Sequence, residues 1–133
     1  MIVVDTHIWI WWVHDHPSLQ KWMRDRIVAE ESDGIGVSAI SCWEVAKLVS
    51  LNRINLNGNT EAWFADALAY PGVQLIALTP EISIDANNLP GTFHKDPADQ
   101  IIVATARILG CDLLTGDGRI LAYPEVRTAK PSP

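Results

Sequence analysis

The chain has 133 residues, 48% of them hydrophobic and 20% charged, with a net charge of −6, which suits a single domain with its own core and excludes a largely disordered chain. The acidic balance argues against broad duplex binding through a basic surface, and leaves nucleic acid as a partner only where a bound cation reverses the local sign and some of the ten Lys and Arg line a groove. No run reaches the roughly 20 apolar residues of a membrane helix, no leader-like segment is evident, and Cys42 and Cys111 lack metal-ligand spacing, so a cytoplasmic protein with reduced, buried thiols is expected.

Ile2, Val3 and Val4 form a β-branched run that reads as a buried parallel strand, with Asp5 at its carboxyl end. Residues 6–13 read as a short, very apolar helix and 18–31 as a longer amphipathic one, separated by His16-Pro17-Ser18. A second strand is expected over 35–37, then a helix capped by Ser38 or Ser41 and running to Leu51, with Glu44 in its first turns. Residues 60–69 have helical spacing, 73–78 alternate like a strand, and Thr79-Pro80 opens another helix. Asp96-Pro97-Ala98-Asp99 is a strong helix start, with Gly110 as the stop. A strand over 112–115, a turn at Gly116-Asp117-Gly118 and a final edge strand at 126–128 complete the reading.

Strands alternating with helices predict an α/β domain over residues 1–129, with a mainly parallel sheet of about five strands, helices on both faces and a short flexible tail over 130–133. In such a fold strands end and helices begin at the same edge, so Asp5, Glu44, Asp99 and Asp117 are expected to share one pocket there. Each acid also has an ordinary reading. Asp5 can cap the next helix, Glu44 can close an S-x-x-E box with Ser41, Asp99 suits the positive end of a helix, and Asp117 suits a turn. Convergence would instead make a site for Mg²⁺ or Mn²⁺, hard ions that prefer oxygen, and phosphodiester hydrolysis is a chemistry such a site supports. Thr6 and Thr115 are placed to hold Asp5 and Asp117, or only to satisfy nearby backbone; His7 and His94 read as surface histidines.

Val4-Asp5-Thr6-His7, Ser38-Ala39-Ile40-Ser41-Cys42-Trp43-Glu44, His94-Lys95-Asp96-Pro97-Ala98-Asp99 and Leu114-Thr115-Gly116-Asp117, in this order and spacing, resemble the PIN-domain ribonuclease toxins of the VapC type. The resemblance implies a three-layer α/β/α domain, Mg²⁺- or Mn²⁺-dependent cleavage of RNA, a homodimer and a cognate antitoxin. It puts the acidic quartet on Asp5, Glu44, Asp99 and Asp117, with Asp96 as a fifth acid nearby and Thr115 as a hydroxyl beside the last. The related pattern often runs D-P-A-D-R, whereas Gln100 follows Asp99 here; Lys95, Arg107 and Arg119 are the cations that remain to compensate.

That departure makes a catalytically weak RNA- or protein-binding module the alternative. A phosphoacceptor domain, which also sets acids around Mg²⁺, is disfavoured because paired acids at the first strand and a lysine after the last are missing. Trp9, Trp11 and Trp12 place aromatic surface on more than one face of the first helix, so part of it is expected at an interface; Trp22, Trp43 and Trp63 read as core or helix anchors.

Overall fold

A computed structural model describes residues 1–132. Four strands, β1 (Ile2–Val4), β2 (Ile35–Ser38), β3 (Val73–Ile76) and β4 (Asp112–Leu114), lie parallel in the order β3-β2-β1-β4. The central strand pairs Ile2 with Ile35 and with Asp112, and all three of its side chains are buried. Period-two alternation then divides them. Ile2 and Val4 join one apolar cluster with Ile8, Trp9, Met23, Ile27 and Trp63, whereas Val3 joins another with Ile102, Val103, Ala106 and Ile120. A sheet covered on both faces needs apolar residues on both, which is why β1 reads as a continuous run.

Helices α1 (Thr6–Val13), α2 (Lys21–Ala29), α3 (Ala39–Ser50) and α4 (Thr60–Leu68) supply the first cluster, and α6 (Pro97–Leu109) and α7 (Gly118–Leu121) the second. Helix α5 (Pro80–Ala86) packs on α6 through Ile82, Ala86 and Ala104, so α6 is enclosed between the sheet and another helix. The result is the expected α/β/α arrangement.

The sheet has four strands rather than about five. Residues 126–128 make a single bridge, in which Leu113 N–H donates to Arg127 O and Leu113 O accepts from Ala129 N–H, both at 2.9 Å. The strand expected over 73–78 stops at Ile76, whose partner Ser38 is the last residue of β2 before the chain turns into α3. Helix α2 begins at Lys21 instead of Ser18, because Ser18 and Leu19 are drawn into a turn by hydrogen bonds to His16. Ser38, not Ser41, caps α3.

Trp9 is fully buried against Trp63 and Phe64, while Trp11, Trp12 and Trp22 are half-buried. Trp43, expected in the core, is 59% exposed. It stands two residues from each of Ser41 and Val45, the buried positions of α3, and so on the opposite face of the helix. Cys42 and Cys111 are free thiols but half-buried rather than buried, and burial pushes both thiol pKa values up. No helix among the described residues is long and apolar enough to cross a membrane. Residues 130–132 lie beside Trp22 and Arg26; Pro133, the end of the expected tail, lies outside the described residues.

The entry to β3 depends on Gly72, whose φ is +83°. A Cβ there would collide with the backbone of Glu31, so both the conformation and the close approach require glycine. Gly72→Ala is expected to lower stability by about 2 kcal/mol or more. Urea unfolding checks this, and an unchanged midpoint would show that the chain reaches β3 by another path.

Candidate active site

Parallel alignment brings the ends of β1 and β4 together, with Asp5 N–H donating to Leu114 O at 2.9 Å. Asp5 is only 3% exposed. A buried carboxylate must be hydrogen-bonded, and both oxygens are: Oδ1 accepts from Thr6 N–H at 2.8 Å, capping α1, and Oδ2 accepts from the Thr115 hydroxyl at 2.7 Å. Thr115 Oγ1 in turn accepts from Asp117 N–H at 3.0 Å, so one hydroxyl ties the first acid to the last.

The Thr6 hydroxyl bonds to Glu44 Oε1 and lies 2.8 Å from Ser41 Oγ. A hydroxyl has one proton, and an ionised carboxylate only accepts; Thr6 therefore donates to Glu44 and accepts from Ser41. The Ser41–Glu44 capping box is thus not formed. Thr6 holds Asp5 through its backbone and Glu44 through its side chain, and Thr115 holds Asp5 through its side chain. Both threonines were expected beside acids, but with partly different partners.

Asp99 enters from the first turn of α6, where Pro97 follows the N-cap Asp96. Asp96 Oδ1 accepts from Ala98 and Asp99 N–H at 2.9 and 3.2 Å, so Asp96 is an exposed cap bordering the neighbouring groove rather than a wall of the pocket. Asp117, placed in a turn by its flanking glycines, instead caps α7 through Oδ1, which accepts from Arg119 N–H at 2.8 Å. The four acids line one cavity of about 160 Å³ with Thr6, His7, Ile10 and Leu48.

Two histidines, expected at the surface, lie against these acids. His94 Nε2 lies 2.6 Å from Asp99 Oδ2. His7 Nε2 accepts from Gly116 N–H at 2.9 Å, which puts its proton on Nδ1, 3.6 Å from Asp5 Oδ2. Their adjacency to Asp5 and to Asp96-Pro97-Ala98-Asp99 was the available signal.

Burial pushes the Glu44 carboxyl up to about 6; the Thr6 hydrogen bond opposes the rise, and the charges of Asp5, Asp99 and Asp96 add to it. Burial raises Asp99 as well, with His94 opposing and Asp5, Asp96 and Asp117 assisting. Asp117 moves the other way: burial is outweighed by the backbone N–H groups of Arg119 and Ile120 and by the Arg119 guanidinium. The donor chemistry fits a hard divalent cation, since four oxygen-donor acids share one cavity and two of them, Glu44 and Asp99, are destabilised as anions by burial and by neighbouring acids. Among the described residues no three His, Cys, Asp or Glu side chains already form a coordination cluster. The acids surround the cavity and are each turned toward a hydrogen-bond donor of the protein.

A family model for the PIN domain matches residues 2–126. The chain belongs to the PIN-domain family. It is 32% identical over 126 residues to Ribonuclease VapC22 of Mycobacterium tuberculosis, covering 95% of this chain and 94% of that protein. Among solved structures it is similar in fold to VapBC2 from Rickettsia felis bound to a DNA fragment from their promoter, with TM-score 0.70, 15% identity and coverage of 99% of this chain and 100% of that chain. It is also similar to Mycobacterium tuberculosis VapC20, a sarcin-ricin loop cleaving toxin, with TM-score 0.61, 18% identity and coverage of 96% and 99%.

The raised Glu44 value has a consequence for metal-free protein. The native state binds this proton more tightly than the unfolded chain, so the associated stability is fully present below pH 4.5 and is lost as pH rises through about 6. In chelator, Glu44→Gln keeps an acceptor for Thr6 and removes the ionisation. It should be more stable than wild type above that window, by about 1 kcal/mol after allowance for solvent screening, and should lose the advantage below it. Urea unfolding across the window checks this; a constant difference between the two proteins would show that Glu44 titrates normally.

Proposed function

We propose that this chain is a metal-dependent endoribonuclease, the toxin of a toxin–antitoxin pair, hydrolysing RNA phosphodiester bonds with Mg²⁺ or Mn²⁺ held by Asp5, Glu44, Asp99 and Asp117. The observation that carries the reading is the meeting of four acids from four separate segments on one cavity; kinship with a protein named as a ribonuclease over nearly the whole chain supports it. When bound, the cation would supply Lewis-acid stabilisation of developing negative charge and a more acidic water.

The protein's own groups divide the remaining work. Thr6 N–H and the Thr115 hydroxyl fix Asp5 in place. The Thr6 hydroxyl donates to Glu44 Oε1 and so orients the carboxylate that Glu44 brings to the quartet. His94 orients Asp99, and Asp96 fixes the turn that carries it.

A cognate antitoxin is the expected protein partner, with the half-buried Trp11 and Trp12 of α1 as apolar surface for it. A homodimer is the expected assembly. The groove lined by Ile40, Trp43, Leu78 and Pro97 is the apolar face that supports it, and Trp43→Glu should shift the protein toward monomer in light scattering. A wild type already monomeric at the same concentration would count against the dimer.

Cleavage of structured and single-stranded RNA should require Mg²⁺ or Mn²⁺ and stop in chelator. Asp5→Asn and Asp99→Asn preserve most hydrogen bonds, yet should lower the rate at least about 100-fold and relieve growth arrest on expression. Metal-independent cleavage, or full activity in both variants, would refute the assignment. RNA retained without turnover would favour a binding module.

A further inference from the structure

Gln100, the neutral residue after Asp99, donates its amide to His94 O at 3.1 Å. Of the three cations that could offset this loss of charge, Arg107 is committed elsewhere: its guanidinium donates to Asp85 at 3.0 and 3.4 Å and to Glu125 O at 2.6 Å. Lys95 is exposed beside His94. Arg119 alone among the described Lys and Arg has a nitrogen within 4.0 Å of any of the four acids: Nη2 is 3.5 Å from Asp117 Oδ2 and 3.8 Å from Asp99 Oδ2.

Both distances exceed an N–H···O hydrogen bond, so the guanidinium is attracted to two carboxylates without being locked to either. It is also 63% exposed, at the rim. Its backbone is held differently, because Arg119 N–H donates to Asp117 Oδ1 at 2.8 Å. The residue is therefore anchored at its main chain and free at its tip. Asp99 and Asp117 are each already engaged by other donors of the protein, whereas an entering phosphodiester brings a pair of nonbridging oxygens that can accept the planar N–H fork at full hydrogen-bond distance.

We infer that Arg119 binds the substrate phosphate: its guanidinium leaves the loose pairing with Asp99 and Asp117 and takes the nonbridging oxygens of an RNA phosphodiester entering the cavity. The inference rests on the ribonuclease reading and adds a residue that the quartet does not contain. It carries a second consequence. Without RNA the same guanidinium competes with a divalent cation for Asp99 and Asp117, so its removal weakens RNA binding and strengthens cation binding.

Single-turnover cleavage of a short single-stranded RNA separates the half-saturating enzyme concentration from the limiting rate, and isothermal titration with Mn²⁺ alone reads the second consequence. Arg119→Gln should raise the half-saturating concentration about 10- to 100-fold, far more than it lowers the limiting rate. The slope of log affinity against log salt should fall by about 0.7, the value of one phosphate contact on a single strand, and Mn²⁺ should bind more tightly. Arg119→Lys should keep the salt slope and recover part of the affinity, since it retains charge without the fork. A fall in limiting rate at unchanged half-saturation, or an unchanged salt slope, would overturn the inference and leave Arg119 a prop for Asp117. If wild type binds RNA without cutting it, the ribonuclease reading fails and anisotropy at varied salt still decides on Arg119; a wild type that neither cuts nor binds RNA overturns both.

Discussion

The carboxylate of Asp5 sits at the end of the central strand with almost no contact with water, a position a charged group can hold only if its oxygens are hydrogen-bonded. The two donors come from opposite ends of the chain: the backbone of Thr6, which starts α1, and the hydroxyl of Thr115, which follows β4. Pairing of β1 with β4 is therefore a precondition for the site as well as for the sheet. Once Thr115 is in place, its second hydrogen bond draws in Asp117, and Gly116 reaches His7. Glu44 depends on the same anchor. Thr6, fixed by the Asp5 cap, is the residue whose hydroxyl meets Glu44 and Ser41 on α3.

Several of these acids have a structural duty along with the one proposed for the site. Asp5 caps α1 and Asp117 caps α7, each with Oδ1. Asp96 caps α6 and thereby sets the direction of Asp99 two residues inside the helix. The ordinary and the functional readings of an acid at a sheet edge are thus compatible: a capping carboxylate is aimed by the cap. Glu44 is the exception, since among the described residues its hydrogen-bond donor comes from α1 rather than from its own helix.

Most of the framework was legible because it depends on local chemistry. Ile2, Val3 and Val4 followed by Asp5 could be read as a buried strand and a cap, and Asp96-Pro97 as a helix start, without knowing what lies opposite. Details set by a neighbour were less legible. Ser41 looks like a cap in sequence and is an interior residue, because the chain turns into α3 directly from Ser38, the last residue of β2 and the N-cap. Trp43 looks like core and is exposed, because the buried face of α3 is the one that carries Ser41 and Val45. The same limit applies to cations: Arg107 and Arg119 are alike in sequence, and only the folded positions of Asp85 and Asp117 distinguish them.

The kind of donor used around the quartet also matters for its electrostatics. Thr6, Ser41, Thr115 and backbone N–H groups satisfy lone pairs without supplying a full opposing charge, so the interior of the cavity keeps its negative potential. The full positive charge of Arg119 stands at the rim. Proton affinity is graded accordingly: Glu44, desolvated and facing other acids, holds its proton up to about 6, whereas Asp117, served by two backbone donors and the guanidinium, gives its proton up more easily than an ordinary aspartate. Four carboxylates thus share one cavity without being equivalent. Asp117 is favoured as an anion, and Glu44 and Asp99 are the acids whose charge burial and their neighbours oppose.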